Sequence, residues 1–157
     1  ALAVSNMSEI RSAPSMSNKI FDENGVLFNL KTMQGRPVLV NFWASWCAPC
    51  ITEMPALQKA AEELQPDGID VLLVSVDRGG HRKALPVLRS NGVTTPRLGF
   101  DPTAVLSREM GVNGLPTSYL LSANQQHCLV YIGPREWHEA AMQDEIRHFA
   151  RATGLAS

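Results

Sequence analysis

The sequence predicts an α/β domain: a central mixed β-sheet with helices on both faces, preceded by an N-terminal β-hairpin. Three observations carry this. Two apolar runs, Val38–Trp43 and Ile69–Val76, bracket a stretch of helical periodicity, which is the pattern of a βαβ unit. Two later apolar segments, Leu115–Leu121 and Cys128–Ile132, are spaced as the arms of an antiparallel hairpin. An Asn24-Gly25 pair follows Ile20-Phe21 and precedes Val26, and both residues tolerate the positive φ of a tight turn.

Residues Ala1–Asn18 are rich in Ser, Asn, Met and Ala without steady periodicity. They are expected to form a flexible tail or tether, with a docked short helix as the alternative, so the domain is placed at 19–157. In the hairpin, Phe28 and Leu30 continue the alternation, and Gln34-Gly35-Arg36-Pro37 breaks the chain. Val38–Trp43 is almost continuously apolar, which suits a strand covered on both faces. From Cys50 the period changes. Cys50, Met54, Leu57, Ala61 and Leu64 recur at steps of four and three and share one helix face, with Lys59, Glu62 and Glu63 on the far side. Pro55 has no N–H to donate, so a kink is expected there, and Gln65-Pro66-Asp67-Gly68 stops the helix. Ile69–Val76 follows as a parallel neighbour reached by a right-handed crossover. His81–Ser90 reads as a helix ended by Asn91-Gly92, and Arg97–Phe100 as a short strand. Thr103–Met110 reads as a short helix opened by Asp101-Pro102. Gly133-Pro134 ends the second hairpin, and Trp137, Ala141, Ile146 and Phe149 mark a last amphipathic helix.

At 157 residues, 45% apolar and 18% charged, the chain has the make-up of one globular domain and not of a disordered segment or coiled coil. Lys and Arg number 14 against 15 Asp and Glu, a net charge of −1, which leaves no basic excess to hold nucleic acid or an anionic membrane. No run of about 20 apolar residues is present to span a bilayer. Three cysteines are too few for a disulfide scaffold. Chemistry is therefore sought at Trp46-Cys47-Ala48-Pro49-Cys50, between the first buried strand and its helix.

Cysteines at i and i+3 that open a helix can reach disulfide distance. The helix start carries partial positive charge and free N–H groups, which favour a thiolate at Cys47. Thiols in Cys-x-x-Cys motifs reach a pKa of about 7, against roughly 8.5 for a free thiol. Cys47 is thus the accessible nucleophile, and Cys50, one turn inside on the apolar face, the shielded resolving thiol. Zinc would need four ligands, and no second Cys-x-x-Cys or His-x₃₋₅-His accompanies the pair. Covalent haem would need His after Cys50, where Ile51 stands. A purely structural bridge over so short a loop gains little stability.

The segment Val38–Cys50, with Glu53-Met54-Pro55 after it and Gly114-Leu115-Pro116-Thr117-Ser118 later, resembles the active site of thioredoxin-fold proteins. Within them it is similar to the membrane-tethered TlpA/ResA branch; Gly133-Pro134 with Trp137 strengthens that likeness. The resemblance covers residues 20 to 152. It implies a thioredoxin-like fold and a protein disulfide reductase with no cofactor beyond a redox-active Cys47–Cys50 disulfide and no metal. It further implies a cis peptide at Leu115–Pro116, a catalytic part for Pro116 and Glu53 beside the cysteines, and substrate contact by Trp46, Ala48, Pro49, Leu115 and Thr117. The expected setting is the periplasmic or extracytoplasmic face, with a tether through a segment missing from this sequence. The expected partners are cysteine-containing proteins of cytochrome oxidase copper-site assembly, a Sco-type copper chaperone or oxidase subunit II, with apocytochrome c as the alternative. An upstream membrane electron donor would reduce the protein, which is expected to act as a monomer.

Two departures stand out, one from the cytosolic thioredoxin pattern and one from the TlpA relatives. Asn41 occupies the position of a buried Asp and cannot take up a proton, so a general base must come from elsewhere. At about 100° per residue, Glu53 lies about 60° from Cys50, at the edge of the buried stripe. It is either an exposed charge complementing the helix dipole or a partly buried carboxyl serving Cys50. The second departure is Cys128: the resemblance to TlpA relatives, some of which hold an extra structural disulfide between the N-terminal region and the later hairpin, implies a partner, but the N-terminal segment has no cysteine, and a buried strand thiol is the simplest reading. Outside this class, the Cys pair could serve a Cu(I)-binding chaperone, because thiolates suit soft Cu(I), but a third soft ligand would be needed. Peroxidases of this fold use a lone reactive Cys in a different motif.

Overall fold

The computed structural model describes residues 9–154. Eight strands among them form one mixed sheet in the order β1-β8-β7-β4-β5-β6-β2-β3. These are β1 (Arg11–Ser12), β2 (Ile20–Phe21), β3 (Leu27–Phe28), β4 (Val38–Trp43), β5 (Asp70–Ser75), β6 (Arg97–Phe100), β7 (Thr117–Leu121) and β8 (His127–Ile132). The helices are α1 (Ala48–Thr52), α2 (Met54–Leu64), α3 (His81–Ser90), α4 (Val105–Met110) and α5 (Ala140–Gly154). β4 runs parallel to β5, with Val38 opposite Asp70 and Trp43 opposite Ser75, and antiparallel to β7 on its other side. The expected βαβ unit and the expected second hairpin thus belong to one sheet.

All six residues of β4 are buried, and their alternation divides the core. Leu39 and Trp43 face a layer built from α2, α3 and α5, through Met54, Leu57, Leu64, Ala84, Leu88, Ile146 and Phe149. Val38, Val40 and Phe42 face the other layer, with Leu30, Met33, Leu106, Met110 and Cys128. In the N-terminal hairpin Ile20 pairs with Phe28, and Asp22 Oδ1 accepts from the N–H groups of Asn24 and Val26 around Gly25 at φ 78°.

The expectation of a free tail over Ala1–Asn18 is corrected for the described part. Arg11 and Ser12 pair with Cys128 and His127 at the edge of β8, and Ala13 N–H donates to Gln126 O at 3.0 Å. Met16 is buried in the second layer. The Glu109 carboxylate accepts from the hydroxyls of Ser15 and Ser17, the N–H groups of Ser17 and Asn18, and the Asn18 amide. The segment has no periodicity of its own because its order comes from a sheet edge and one distant carboxylate. Residues 1–8 lie outside the described residues.

The expected kink appears as a break at Glu53 between α1 and α2. Pro55 at the start of α2 offers no N–H to the Ile51 carbonyl; the Glu53 N–H keeps its helical bond to Pro49 O and also reaches Ile51 O.

Candidate active site

The cysteine pair sits where β4 runs into α1. Cys47 is the N-cap residue of α1, in extended backbone conformation, and Pro49 lies in the first turn, where its missing N–H costs nothing. Cys47 and Cys50 are disulfide-bonded with Cα atoms 5.3 Å apart. The Cys50 N–H donates to Cys47 Sγ at 3.3 Å, so a helix-start N–H points at the sulfur expected to carry negative charge. Trp46, Ala48 and Pro49 are exposed around it, Trp46 by 72%. Cys47 itself departs from the accessible nucleophile expected: it is 7% exposed, against 1% for Cys50. Bonded to Cys50, it belongs to the buried apolar cluster of that layer.

The loop ahead of Cys47 is pinned to the end of β5. The buried Asp77 carboxylate accepts from the Ser45 N–H at 2.9 Å, the Ser45 hydroxyl at 2.5 Å and the Ser75 hydroxyl at 2.7 Å. Sequence reasoning passed over Asp77; its only signal was an acid directly after a buried strand.

Glu53 is 4% exposed, which excludes the exposed helix-start reading. Its Oε1 accepts from the Asn41 amide at 2.8 Å. Its Oε2 accepts from the Trp137 indole N–H at 2.9 Å and the Arg135 backbone N–H at 3.0 Å. The Asn41 amide also donates to Ser118 Oγ at 2.9 Å, which ties β4 and β7 to the same network. Burial pushes the Glu53 pKa up, and the hydrogen bonds from Arg135, Trp137 and Asn41 pull it back only in part. Glu53 is also among the residues that line a cleft of about 240 Å³, with Pro49, Thr52, Arg135 and Glu136. The sequence places Glu53 near Cys50 but leaves Arg135 unseen, because a backbone N–H carries no residue-type signal.

The Leu115–Pro116 peptide is cis. Pro116 is buried, and its carbonyl accepts from the Gly133 N–H at 2.9 Å. Thr117 pairs with Phe42 and donates its hydroxyl to Gly114 O at 2.6 Å. The loop therefore stands at the end of β4 from which Cys47 departs. Leu115 packs against the apolar cluster that holds Cys47 and Cys50. Cys128 is elsewhere: it lies in the opposite layer, fully buried, with its thiol toward Ser12 O and its pKa raised by burial.

The profile of the AhpC/TSA family matches residues 11–127 of the chain. The chain belongs to the AhpC/TSA family. Within it, the chain is similar to ResA-type proteins. It is 30% identical over 95 residues to the thiol-disulfide oxidoreductase ResA of Oceanobacillus iheyensis, covering 60% of this chain and 48% of that one. It is 38% identical over 87 residues to the thiol:disulfide interchange protein HelX of Rhodobacter capsulatus, covering 55% and 47%. For CycY of Rhizobium leguminosarum bv. viciae, also a thiol:disulfide interchange protein, the figures are 33% over 103 residues, 65% and 53%. The chain spans about half the length of the curated relatives it matches. Among solved structures it superposes, with a TM-score of 0.77 and 26% identity, on a Chlorobium tepidum protein proposed to be a thiol:disulfide interchange protein DsbE, over 88% of this chain and 96% of that one. The thioredoxin domain of oxidoreductase BVU-2223 from Bacteroides vulgatus gives 0.73 at 18% identity, over 89% and 99%, which supports the fold alone. The family member described here thus has a thioredoxin-like fold of the TlpA/ResA kind.

Proposed function

We propose that the protein is a thiol–disulfide oxidoreductase that reduces cysteines of partner proteins outside the cytoplasm. The observation that carries this reading is the Cys47–Cys50 disulfide at a helix start, ringed by exposed Trp46, Ala48 and Pro49 and backed by the buried Glu53. The names of the relatives, oxidoreductases and interchange proteins, support it. In the reduced protein the Cys47 thiolate attacks one sulfur of a partner disulfide. That S–S bond breaks, the first partner thiolate leaves and takes a proton, and a mixed disulfide forms. Glu53 then accepts the Cys50 proton, directly or through water in its cleft, and the Cys50 thiolate attacks Cys47. The second partner thiolate leaves with that proton. Two electrons and two protons have passed to the partner, and the Cys47–Cys50 bond is restored. No cofactor is needed; a membrane dithiol upstream returns the electrons. The cis Pro116 loop offers its flanking backbone to an extended partner segment beside Cys47.

The partners follow the likeness in sequence: a Sco-type copper chaperone or oxidase subunit II, with apocytochrome c as the alternative, met by a monomer at the periplasmic face of a membrane to which it is tethered. The copper-chaperone alternative asks for a third soft ligand. Trapping with Cys50→Ser is the test. The variant is expected to accumulate mixed disulfides through Cys47, and mass spectrometry of the bound chains names the partners. Stoichiometric Cu(I) binding through Cys47 and Cys50 with no disulfide exchange would sink the reading.

A further inference from the structure

We propose that the cleft beside the redox disulfide receives an acidic segment of the partner protein, next to the partner's reacting cysteine. This rests on the oxidoreductase reading and gives it a substrate class. The cleft, about 440 Å³, opens between Trp46 and the segment after β5, with Ser45, Val76, Arg78, Gly79 and Lys83 on its walls. Trp46 adjoins Cys47 in the chain, and its indole stands in solvent. A partner that presents a cysteine to Cys47 brings its neighbouring residues across this cleft.

The accessible charge at the cleft is positive: Arg78 and Lys83 stand on its walls and Arg82 is next to Lys83 in the chain, in a protein whose net charge is −1. Arg78, Arg82 and Lys83 are exposed, and none of the ion pairs among the described residues involves them. The one carboxylate on the wall, Asp77, is 3% exposed, and its oxygens are taken by Ser45 and Ser75. His81, by contrast, is engaged within the fold: Nε2 lies 2.8 Å from Asp22 O and the ring stacks on Phe100. Arg82 and Lys83 stand in the first turn of α3, where helix electrostatics disfavour cations.

Carboxylates flanking a partner cysteine would meet Arg78 and Lys83, while an apolar neighbour covers the Trp46 indole. Half-exposed pairs of this kind act more on encounter rate and selectivity than on affinity. A concave cleft one residue from the nucleophile fits a polypeptide and not a flat membrane surface.

Two peptides, each with one internal disulfide, test this. They share a sequence except that two Asp flank one cysteine in the first and two Ser in the second. Each is mixed with the reduced full chain, and the exchange rate constants are compared at low and high salt. The acidic peptide is expected to react about tenfold faster at low salt. That ratio should collapse toward one at high salt and in the double variant Arg78→Ser/Lys83→Ser. Equal rates for wild type, or a preference that survives the double substitution, would overturn the docking inference alone. Failure of both peptides to exchange would instead overturn the oxidoreductase reading beneath it. Binding of the wild type to phosphatidylglycerol vesicles that the double variant loses, together with equal peptide rates, would assign the cations to a membrane surface and likewise overturn the inference.

Discussion

The Trp137 indole N–H donates to Glu53 Oε2 at 2.9 Å, which joins the approach to the last helix to the break between the first two. With the Arg135 N–H and the Asn41 amide, it gives one buried carboxylate three donors. Burial raises the Glu53 pKa, and each donor opposes the rise. Removing a donor therefore raises it further. In Trp137→Phe, the pH at which Cys50-driven resolution of the mixed disulfide accelerates should move upward. Stopped-flow release of a trapped peptide across pH 5 to 9 measures it. An unmoved midpoint would separate Trp137 from the proton transfer.

Glu53→Gln removes the proton acceptor while keeping the side-chain volume, because Asn41 can turn its amide to suit. Resolution of the mixed disulfide should slow by at least about tenfold at neutral pH, and its pH dependence should flatten. Stability should respond with a definite sign. A folded pKa above 4.5 favours the protonated side chain, so the wild type loses stability as pH rises through that raised value. The Gln variant lacks this loss, and its Tm relative to wild type should rise from pH 4 to pH 8. A constant Tm difference would mean that the Glu53 pKa is the same in the folded and unfolded chains, so that burial does not shift it.

Thiol reactivity should rank with burial and field. Cys47 is 7% exposed at a helix start, Cys50 1% exposed behind it, and Cys128 fully buried with its pKa raised. Limiting iodoacetamide on the reduced native protein should label Cys47 first, Cys50 far more slowly, and Cys128 only after unfolding. Peptide mapping reads the order. Preferential modification of Cys50 would reverse the roles of the pair.

What the sequence made legible was whatever repeats locally. The run Val38–Trp43, the stripe Cys50-Met54-Leu57-Ala61-Leu64 and the turn at Asn24-Gly25 each announce their element, and the structure places them within a residue or two. The cysteine pair was legible for the same reason, since its spacing and its helix start are adjacent in the chain. The Glu53 network was only half legible. Helix geometry brings Glu53 toward the core, but its donors come from residues 41, 135 and 137, and one of them is a main-chain N–H. The docked segment 11–18 was not legible, because Arg11 and Ser12 gain their order from the edge of β8 and Ser15 to Asn18 from Glu109. Contacts of that kind leave no period behind.

That last attachment has its own titration. Burial pushes the Glu109 pKa up, but hydrogen bonds from the Ser15 and Ser17 hydroxyls and the Asn18 and Ser17 N–H groups outweigh it and hold the carboxyl at about 2. A pKa lowered from 4.5 means that the ionised group stabilises the docked segment above about pH 4.5, and that this is lost as pH falls toward about 2. The site is largely open to solvent, so each bond counts for less than a buried one would. Glu109→Gln should accordingly lower the hydrogen-exchange protection of the Ser17 and Asn18 amides at pH 7 by roughly five- to tenfold, with those of β4 unchanged. The wild type, after correction for intrinsic exchange, should lose the same protection between pH 4.5 and 2 while the Gln variant stays flat. Equal protection of Ser17 and Asn18 in the two proteins at pH 7 would show that β1 and Met16 alone hold the segment down, and that Glu109 merely lies beside it.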